Sequence, residues 1–231
     1  MRSLLRCNRS VVVLVTGLAT LLLAVSCPAK PAGCSPDEAL ARLLDGNKRF
    51  VRGQSLHPHE SADYRASLAK EQHPFVTILA CSDSRVTPAI IFDQGVGDLF
   101  VVRVAGNVVD EDVTGSIEYA VDHLGTQLVL VVGHENCGAV SAAYHEFVAR
   151  DLGPEPDEIE SLLGRIASSV AGLDADAPID EQIAIGVVRN VENGVDRLSR
   201  VADLRDAIEG GRLEIRGAVY DVATGKVRLL P

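Results

Sequence analysis

Long apolar runs alternate with polar, helix-like segments along this chain. Three of these runs, at residues 75–80, 99–105 and 128–132, are almost free of polar side chains. Runs of this length are typical of strands buried on both faces of a parallel sheet. Two further runs, at residues 213–220 and 226–230, resemble a fourth strand and a short final one. We therefore predict a mainly parallel central sheet of four strands plus a short C-terminal strand.

The segments between these runs carry helical periodicity. Ser35 and Pro36 form a capping signal at the start of the first helix, and Thr114 is predicted to cap a later one. The predicted helices span residues 36–51, 62–72, 89–94, 115–124, 136–150, 157–170, 179–198 and 204–209. Strands separated by helices imply right-handed crossovers, so the chain is predicted to form a single α/β domain flanked by helices.

The first 26 residues have the pattern of an export leader. Three arginines precede an uncharged stretch that runs from Ser10 to Ala29. Residues 23–27 resemble a bacterial lipobox ending at Cys27, although Ala24 stands where leucine is usual. A lipoprotein leader, an ordinary cleaved signal peptide and an uncleaved membrane anchor all remain open at this stage, and each places the domain outside the cytoplasm.

We expect a periplasmic or cell-envelope protein with a lipid anchor at Cys27. In this interpretation the membrane is contacted only through the leader or its lipid. Residues 27–35 contain prolines and show no helical or strand periodicity, which indicates a tether between the leader and the domain. The folded domain is then predicted to span residues 36–231.

Composition narrows the function classes. The 231 residues are 47% hydrophobic, which suits one substantial domain. A formal net charge of −10 argues against a nucleic-acid surface, and an aromatic content of 4% leaves little for base stacking. Beyond residue 34 the cysteines are Cys81 and Cys137, which is too few for a disulfide framework. These two cysteines therefore indicate a functional site and not a structural framework.

Two polar motifs directly follow apolar runs. Residues 80–85 carry Cys81, and residues 133–138 carry His134 and Cys137. Ligand sites in parallel α/β sheets collect beyond the carboxyl ends of the strands, so these side chains are expected to meet. Two thiolates and an imidazole are a zinc ligand set, and three protein ligands leave one tetrahedral position open for catalysis.

Asp83 and Arg85 flank the first predicted ligand. The Asp83 carboxylate is expected to orient a zinc-bound hydroxide, or to ligate the zinc in its place, while Arg85 pairs with Asp83. Simpler interpretations exist for each residue taken alone. Cys81 would be a small buried hydrophobe, and Asp83 with Arg85 a structural salt bridge. A Cys nucleophile with His134 as base leaves the other motif residues without a role.

The combined motifs resemble the β-class carbonic anhydrase family. The resemblance rests on Cys-x-Asp-x-Arg at residues 81–85 and His-x-x-Cys-Gly at residues 134–138, and it extends from about residue 37 to the end. It is also carried by segments at residues 46–50, 97–103, 105–107, 115–120 and 220–225. Val104 departs from the pattern, because many members have Asn after the strand Arg.

The resemblance implies reversible hydration of carbon dioxide to bicarbonate and a proton. It implies one zinc per subunit on Cys81, His134 and Cys137, with Asp83 and Arg85 as the catalytic pair. It also implies a homodimer or an assembly of dimers, with the N-terminal helix exchanged with the partner.

Three further residues are expected near the substrate: Gly106, Gly138 and, on a weaker match, Gln94.

Two other functions stay open from the sequence. One is hydrolysis of carbon disulfide or carbonyl sulfide on the same zinc. The other is a non-catalytic zinc-binding assembly protein in which Asp83 stays on the metal.

Overall fold

The computed structural model describes residues 34–151 and 153–231. The predicted leader, residues 1–26, and most of the predicted tether, residues 27–35, lie outside the described residues. Among the helices of the described part, none combines the length and apolar character needed to cross a membrane.

A five-stranded sheet organises the described residues, in the order β2-β1-β3-β4-β5. The first four strands in the chain run parallel, and the last pairs antiparallel with β4. The strands are β1 (Val76–Cys81), β2 (Leu99–Val104), β3 (Leu128–His134), β4 (Glu214–Tyr220) and β5 (Val227–Leu229). The predicted α/β fold class, with its short C-terminal strand, is confirmed.

Eight α-helices connect and flank these strands in the described part of the chain. They are α1 (Pro36–Val51), α2 (Ala62–Ser67), α3 (Pro88–Ile91), α4 (Glu111–Tyr119), α5 (Gly138–Tyr144), α6 (Asp157–Val170), α7 (Ile179–Ser199) and α8 (Ala202–Glu209). Single wider turns at Ala120–Leu124 and His145–Ala149 extend α4 and α5.

Both faces of the sheet are covered, which explains the uninterrupted apolar runs. Every residue of β1 and of β3 is buried. Successive strand side chains point to opposite faces, so Leu79 and Val131 join the larger hydrophobic cluster, whereas Ile78 and Leu130 join the smaller one. Parallel central strands therefore carry apolar residues at nearly every position.

Helix α1 packs against its own chain. Ser35 and Glu38 form a reciprocal capping box at its start. On its buried side Asn47 donates to the carbonyls of Ile91, at 3.1 Å, and Gly225, at 2.8 Å. The same amide oxygen accepts the N–H of Val227 at 3.0 Å. Exchange of α1 with a partner subunit stays a prediction.

Two predicted helix boundaries are wrong. Asp110, not Thr114, caps α4, because its carboxylate accepts the N–H of Val113 at 2.8 Å. Thr114 lies inside the helix, where its hydroxyl donates to the carbonyl of Asp110. The helix predicted for residues 62–72 ends at Ser67. None of its residues is buried, so no packing against the rest of the domain supports a longer helix.

Candidate metal centre

The sheet register brings the two motifs together. Strand β1 pairs directly with β3, with Ala80 opposite Val132, and each strand ends at a predicted ligand. Cys81 is the last residue of β1 and His134 the last of β3, while Cys137 immediately precedes α5. One ligand atom from each of these three residues lies within 4.8 Å of the others, and all three residues are buried.

His134 is oriented as a metal ligand. Its Nδ1 lies 3.0 Å from the carbonyl oxygen of Glu135, which can only accept, so Nδ1 carries the proton. The opposite nitrogen, Nε2, is buried without a hydrogen-bond partner. A fully buried acceptor with no donor is unfavourable in a folded protein unless a ligand satisfies it. Hydrogen bonding of the second ring nitrogen is also typical of metal-binding histidines.

The Cys81 sulfur is stabilised as a thiolate. The backbone N–H groups of Gly106 and Asp83 donate to it at 3.2 and 3.4 Å. The pKa of the Cys81 thiol lies far below its ordinary value, because Cys137 donates a hydrogen bond to the sulfur and the two backbone N–H groups add to this effect, although burial opposes it. The pKa of Cys137 is correspondingly raised by its hydrogen bond to Cys81 and by burial.

This donor set fits zinc. Two sulfurs and one imidazole nitrogen suit a borderline-soft dication that prefers tetrahedral coordination. Two adjacent buried thiolates repel each other, so a dication between Cys81 and Cys137 is the group that allows both to ionise. The residues present therefore match the predicted cofactor in type, in number and in orientation.

Asp83 is bound to Arg85 and is not part of the three-residue group. Arg85 Nε lies 2.9 Å from Asp83 Oδ1, and Nη2 lies 2.7 Å from Oδ2. The Arg85 guanidinium holds the pKa of Asp83 well below its usual range, although partial burial opposes this. Asp83 Oδ2 is 3.8 Å from Nε2 of His134, so the carboxylate borders the cluster while staying bound to Arg85. The two roles predicted for Asp83, as a ligand of the metal or as the carboxylate beside it, both stay predictions.

The structure adds supporting residues that sequence reasoning did not assign. Arg103, from β2, donates to the carbonyl of Cys81 at 3.1 Å and to that of Asp83 at 2.7 Å. Asn190, from α7, donates to the carbonyl of Gly106 at 2.7 Å. Arg103 stood within a recognised segment, but its role was not assigned. No sequence pattern pointed to Asn190, because the carbonyl that it contacts lies 84 residues away in the chain.

Gly106 and Gly138 both lie beside the cluster. Gly106 has a φ of 64°, and a Cβ there would come within 2.7 Å of the Ile166 side chain, so glycine is required at the position that reaches the Cys81 sulfur. Gly138 begins α5 directly after Cys137, and a Cβ there would meet nothing within 4 Å. Their predicted role in lining the substrate space stays a prediction.

Gln94 lies with a different set of residues. Its Oε1 accepts from Arg42 at 3.1 Å, and its Nε2 donates to the carbonyl of Phe92 at 2.8 Å. It lines a cavity together with Ser55, His57 and others from residues 89–96. Among the described residues, Gln94 therefore has hydrogen bonds of its own, and none of them joins it to Cys81, His134 or Cys137. Its predicted position near the substrate stays a prediction.

Comparison with known proteins places these features in one family. The family model described as carbonic anhydrase matches residues 76–227. Carbonic anhydrase 2 of Mycobacterium tuberculosis is 42% identical over 199 residues, which cover 84% of this chain and 93% of that protein.

Solved structures agree in fold. A tetrameric β-carbonic anhydrase of the ascomycete Sordaria macrospora aligns with a TM-score of 0.66 at 27% identity, covering 83% of this chain and 96% of that one. The Coccomyxa β-carbonic anhydrase, in complex with acetazolamide, aligns with a TM-score of 0.65 at 29% identity, covering 83% of this chain and 86% of that one.

Proposed function

This chain belongs to the β-class carbonic anhydrase family, and on that premise we propose that it catalyses the reversible hydration of carbon dioxide to bicarbonate and a proton. The observation that carries the proposal is the joint position of the Cys81, His134 and Cys137 donors and the Asp83 carboxylate. Structural zinc sites are closed by four protein ligands, whereas here three donors form the group and the Asp83 carboxylate is held beside them by Arg85.

Cys81, His134 and Cys137 would hold the zinc. Zinc bound there supplies a Lewis acid that makes water nucleophilic at neutral pH. Asp83 accepts a hydrogen bond from the attacking water and so directs its lone pair toward carbon dioxide. Arg85 keeps Asp83 ionised and fixes its two oxygens, because a bidentate pair restricts rotation of the carboxylate.

Stopped-flow measurement of carbon dioxide hydration tests this function. The zinc-loaded wild type is compared with Cys81→Ser, which removes a metal ligand, and with Asp83→Ala, which leaves the three donors in place. We expect rapid hydration by wild type and a large loss in both variants. Wild-type activity no greater than that of Cys81→Ser would refute the enzyme assignment.

The two alternative functions have distinct readouts. Asp83 bound to Arg85 argues against a non-catalytic protein in which Asp83 ligates the zinc, and zinc-edge X-ray absorption across pH tests this directly. Carbon disulfide and carbonyl sulfide require the same site chemistry, so sulfide release is measured in parallel. Sulfide release faster than carbon dioxide hydration would change the assigned substrate.

We also propose that the protein assembles as a homodimer or as a set of dimers. The tetrameric structure of the related Sordaria protein supports self-association. Sedimentation velocity over a hundredfold range of protein concentration would distinguish a stable dimer from a larger assembly. A single monomeric species throughout that range would contradict the proposal.

The location outside the cytoplasm is a further proposal, supported by the pattern of residues 1–29. Mass determination of the mature protein from its native envelope tests the leader. A lipid-modified N-terminus at Cys27 is the expected result. An unlipidated chain that begins beyond Cys27 would indicate an ordinary signal peptide instead, and an intact residue 1 would indicate an uncleaved anchor.

A further inference from the structure

A second polar cavity lies between α6 and α7, next to the turn formed by Ala105–Asn107. Its volume is about 220 Å³. Seven of the residues that line it are polar or charged and are contributed by the turn and by both helices: Asn107, Arg165, Ser168, Asn190, Asn193, Asp196 and Arg197. Cys81, His134 and Cys137 are not among its lining residues, so the cavity is distinct from the metal centre.

Asn107 lines this cavity and carries an unsatisfied donor. The residue is only 2% exposed, and its amide nitrogen, Nδ2, has no hydrogen-bond partner. A buried amide N–H group without an acceptor costs about 1–3 kcal/mol. The neighbouring amide of Asn190 is already used, because it donates to the carbonyl of Gly106. Asn107 therefore offers a donor for which the surrounding protein supplies no acceptor.

Two guanidinium groups face the same cavity without a partner. Arg165 on α6 and Arg197 on α7 make no side-chain hydrogen bond or ion pair with any described residue. The single acid of the lining, Asp196, is bound by Arg200, with Nε at 2.9 Å and Nη2 at 2.8 Å. The charge of Asp196 is thereby neutralised locally. The cavity is left with an excess of positive charge and of hydrogen-bond donors, in a chain whose net charge is −10.

We propose that this cavity binds a small oxyanion. A guanidinium group matches the paired oxygens of carboxylate, carbonate or phosphate groups, and the charge-assisted hydrogen bonds that result are stronger than neutral ones. Arg165 and Arg197 supply the charge, and the unpaired Asn107 amide donates to one oxygen once its side chain turns toward the cavity. The cavity volume suits a few-atom anion with its remaining water.

The oxyanion site is connected to a predicted zinc ligand through one glycine. Asn190, which lines the cavity, binds the Gly106 carbonyl at 2.7 Å, while the Gly106 N–H donates to the Cys81 sulfur at 3.2 Å. Asn107, the next residue, carries the unsatisfied amide. An anion on Asn107 therefore acts on the same short backbone segment that stabilises the Cys81 thiolate.

The test is an NMR titration of the zinc-loaded protein at constant pH and ionic strength. The probes are inorganic phosphate and hydrogencarbonate in separate series, with chloride as the control for general salt effects. The reporters are the side-chain amide of Asn107 and the backbone N–H of Gly106. We expect saturable shifts at Asn107 with one or both oxyanions, and a smaller shift at Gly106. The series that saturates at the lower concentration identifies the preferred anion.

Matched charge variants make the result specific. Arg165→Gln with Arg197→Gln removes both guanidinium groups of the cavity and is expected to weaken oxyanion affinity at least tenfold. Arg212→Gln with Arg228→Gln removes the same charge from exposed arginines outside the cavity and is expected to leave affinity unchanged.

Equal weakening in both double variants would overturn the proposal, as would shifts that chloride reproduces. Shifts that follow protein concentration instead of anion concentration would point to contact with a second copy and would also overturn it. Because the readout is binding and not turnover, failure here is distinguishable from failure of the proposed hydration activity.

Discussion

Arg85 binds both carboxylate oxygens of Asp83, with Nε 2.9 Å from Oδ1 and Nη2 2.7 Å from Oδ2. The same guanidinium also reaches the carbonyl of Asn136, in the second motif, at 3.3 Å. Arg85 therefore joins the two motifs without belonging to the three-residue ligand group. It fixes where the carboxylate beside the metal centre points.

Replacing Arg85 is expected to disable the site without removing the metal. In Arg85→Ala, Asp83 loses both its orientation and its compensating charge, so kcat/KM for hydration should fall about 100-fold. Zinc content should stay near one per chain, and zinc-edge X-ray absorption should show a carboxylate oxygen in place of the water oxygen as Asp83 moves onto the metal.

Arg216→Ala is the matched control for this variant. Arg216 forms a similar pair with Glu214, two residues away on β4, through Nε at 2.9 Å and Nη2 at 2.7 Å. The Arg216→Ala variant is expected to leave kcat/KM for hydration unchanged. An equal loss of activity in both variants would mean that the effect of Arg85 is not local.

Replacing a predicted ligand is expected to remove the metal. Cys81→Ser and Cys137→Ser each exchange a thiolate for a hydroxyl, which zinc binds poorly, so zinc affinity should fall at least 100-fold. Metal analysis after dialysis against a competing chelator measures this. Cys34→Ser, which changes a cysteine outside the cluster, should retain full zinc. Retention of zinc by both ligand variants would refute the assigned centre.

Arg103 is expected to act as a positioning residue. It binds the carbonyls of Cys81 and Asp83, so Arg103→Gln frees the loop that carries both groups. We expect kcat/KM to fall about tenfold to 100-fold while zinc remains bound, because supporting contacts of a metal site have effects of this size. Arg52→Gln, a change at an exposed arginine after α1, should have no effect on kcat/KM.

Asp93 is expected to make stability depend on acid pH. Burial raises the pKa of Asp93, but the N–H groups of Leu56 and His57 and the guanidinium of Arg49 outweigh it, so the folded-state pKa lies below the ordinary value. The ionised Asp93 carboxylate thus stabilises the folded state fully above the unfolded-state pKa of about 3.9. This stabilisation is lost as the pH falls through the folded-state pKa.

The variant Asp93→Asn checks this contribution. At pH 7 it should lower the free energy of unfolding by about 3 kcal/mol, because it leaves the partners of a buried carboxylate uncompensated. Chemical denaturation of both proteins between pH 7 and pH 3 should show this difference shrinking below about pH 4. If the difference in free energy of unfolding between the two proteins does not change with pH, the cost of the substitution arises from packing and not from the charge of Asp93.

Gly46 is expected to control the docking of α1. A Cβ at this position would lie 1.8 Å from the carbonyl oxygen of Phe92, so Gly46→Ala must displace the helix. We expect a loss of about 3 kcal/mol, at the upper end of the range for overpacked cores. Gly164→Ala is the control, since a Cβ there meets nothing within 4 Å, and it should stabilise α6 by about 0.5–1 kcal/mol. Thermal unfolding of both variants would check this pair.

The sequence by itself determined the parallel sheet and the ligand chemistry. Strands buried on both faces are apolar at nearly every position, so the runs containing β1 and β3 were visible without any structure. Because parallel strands end at the same edge, polar residues that follow those runs were expected to meet, and the register of β1 with β3 brings Cys81 and His134 together.

Only the tertiary structure decided the long-range contacts around those ligands and elsewhere in the domain. The contacts of Asn190 with Gly106, of Arg103 with two carbonyls and of Gln94 with Arg42 join residues far apart in the chain. The same is true of the cavity shared by Asn107 and the arginines of α6 and α7. Hydrophobic periodicity reports which face of an element is buried, but it does not report which partner packs there. Those pairings depend on how the helices cross the sheet, and that is fixed by packing of the whole domain.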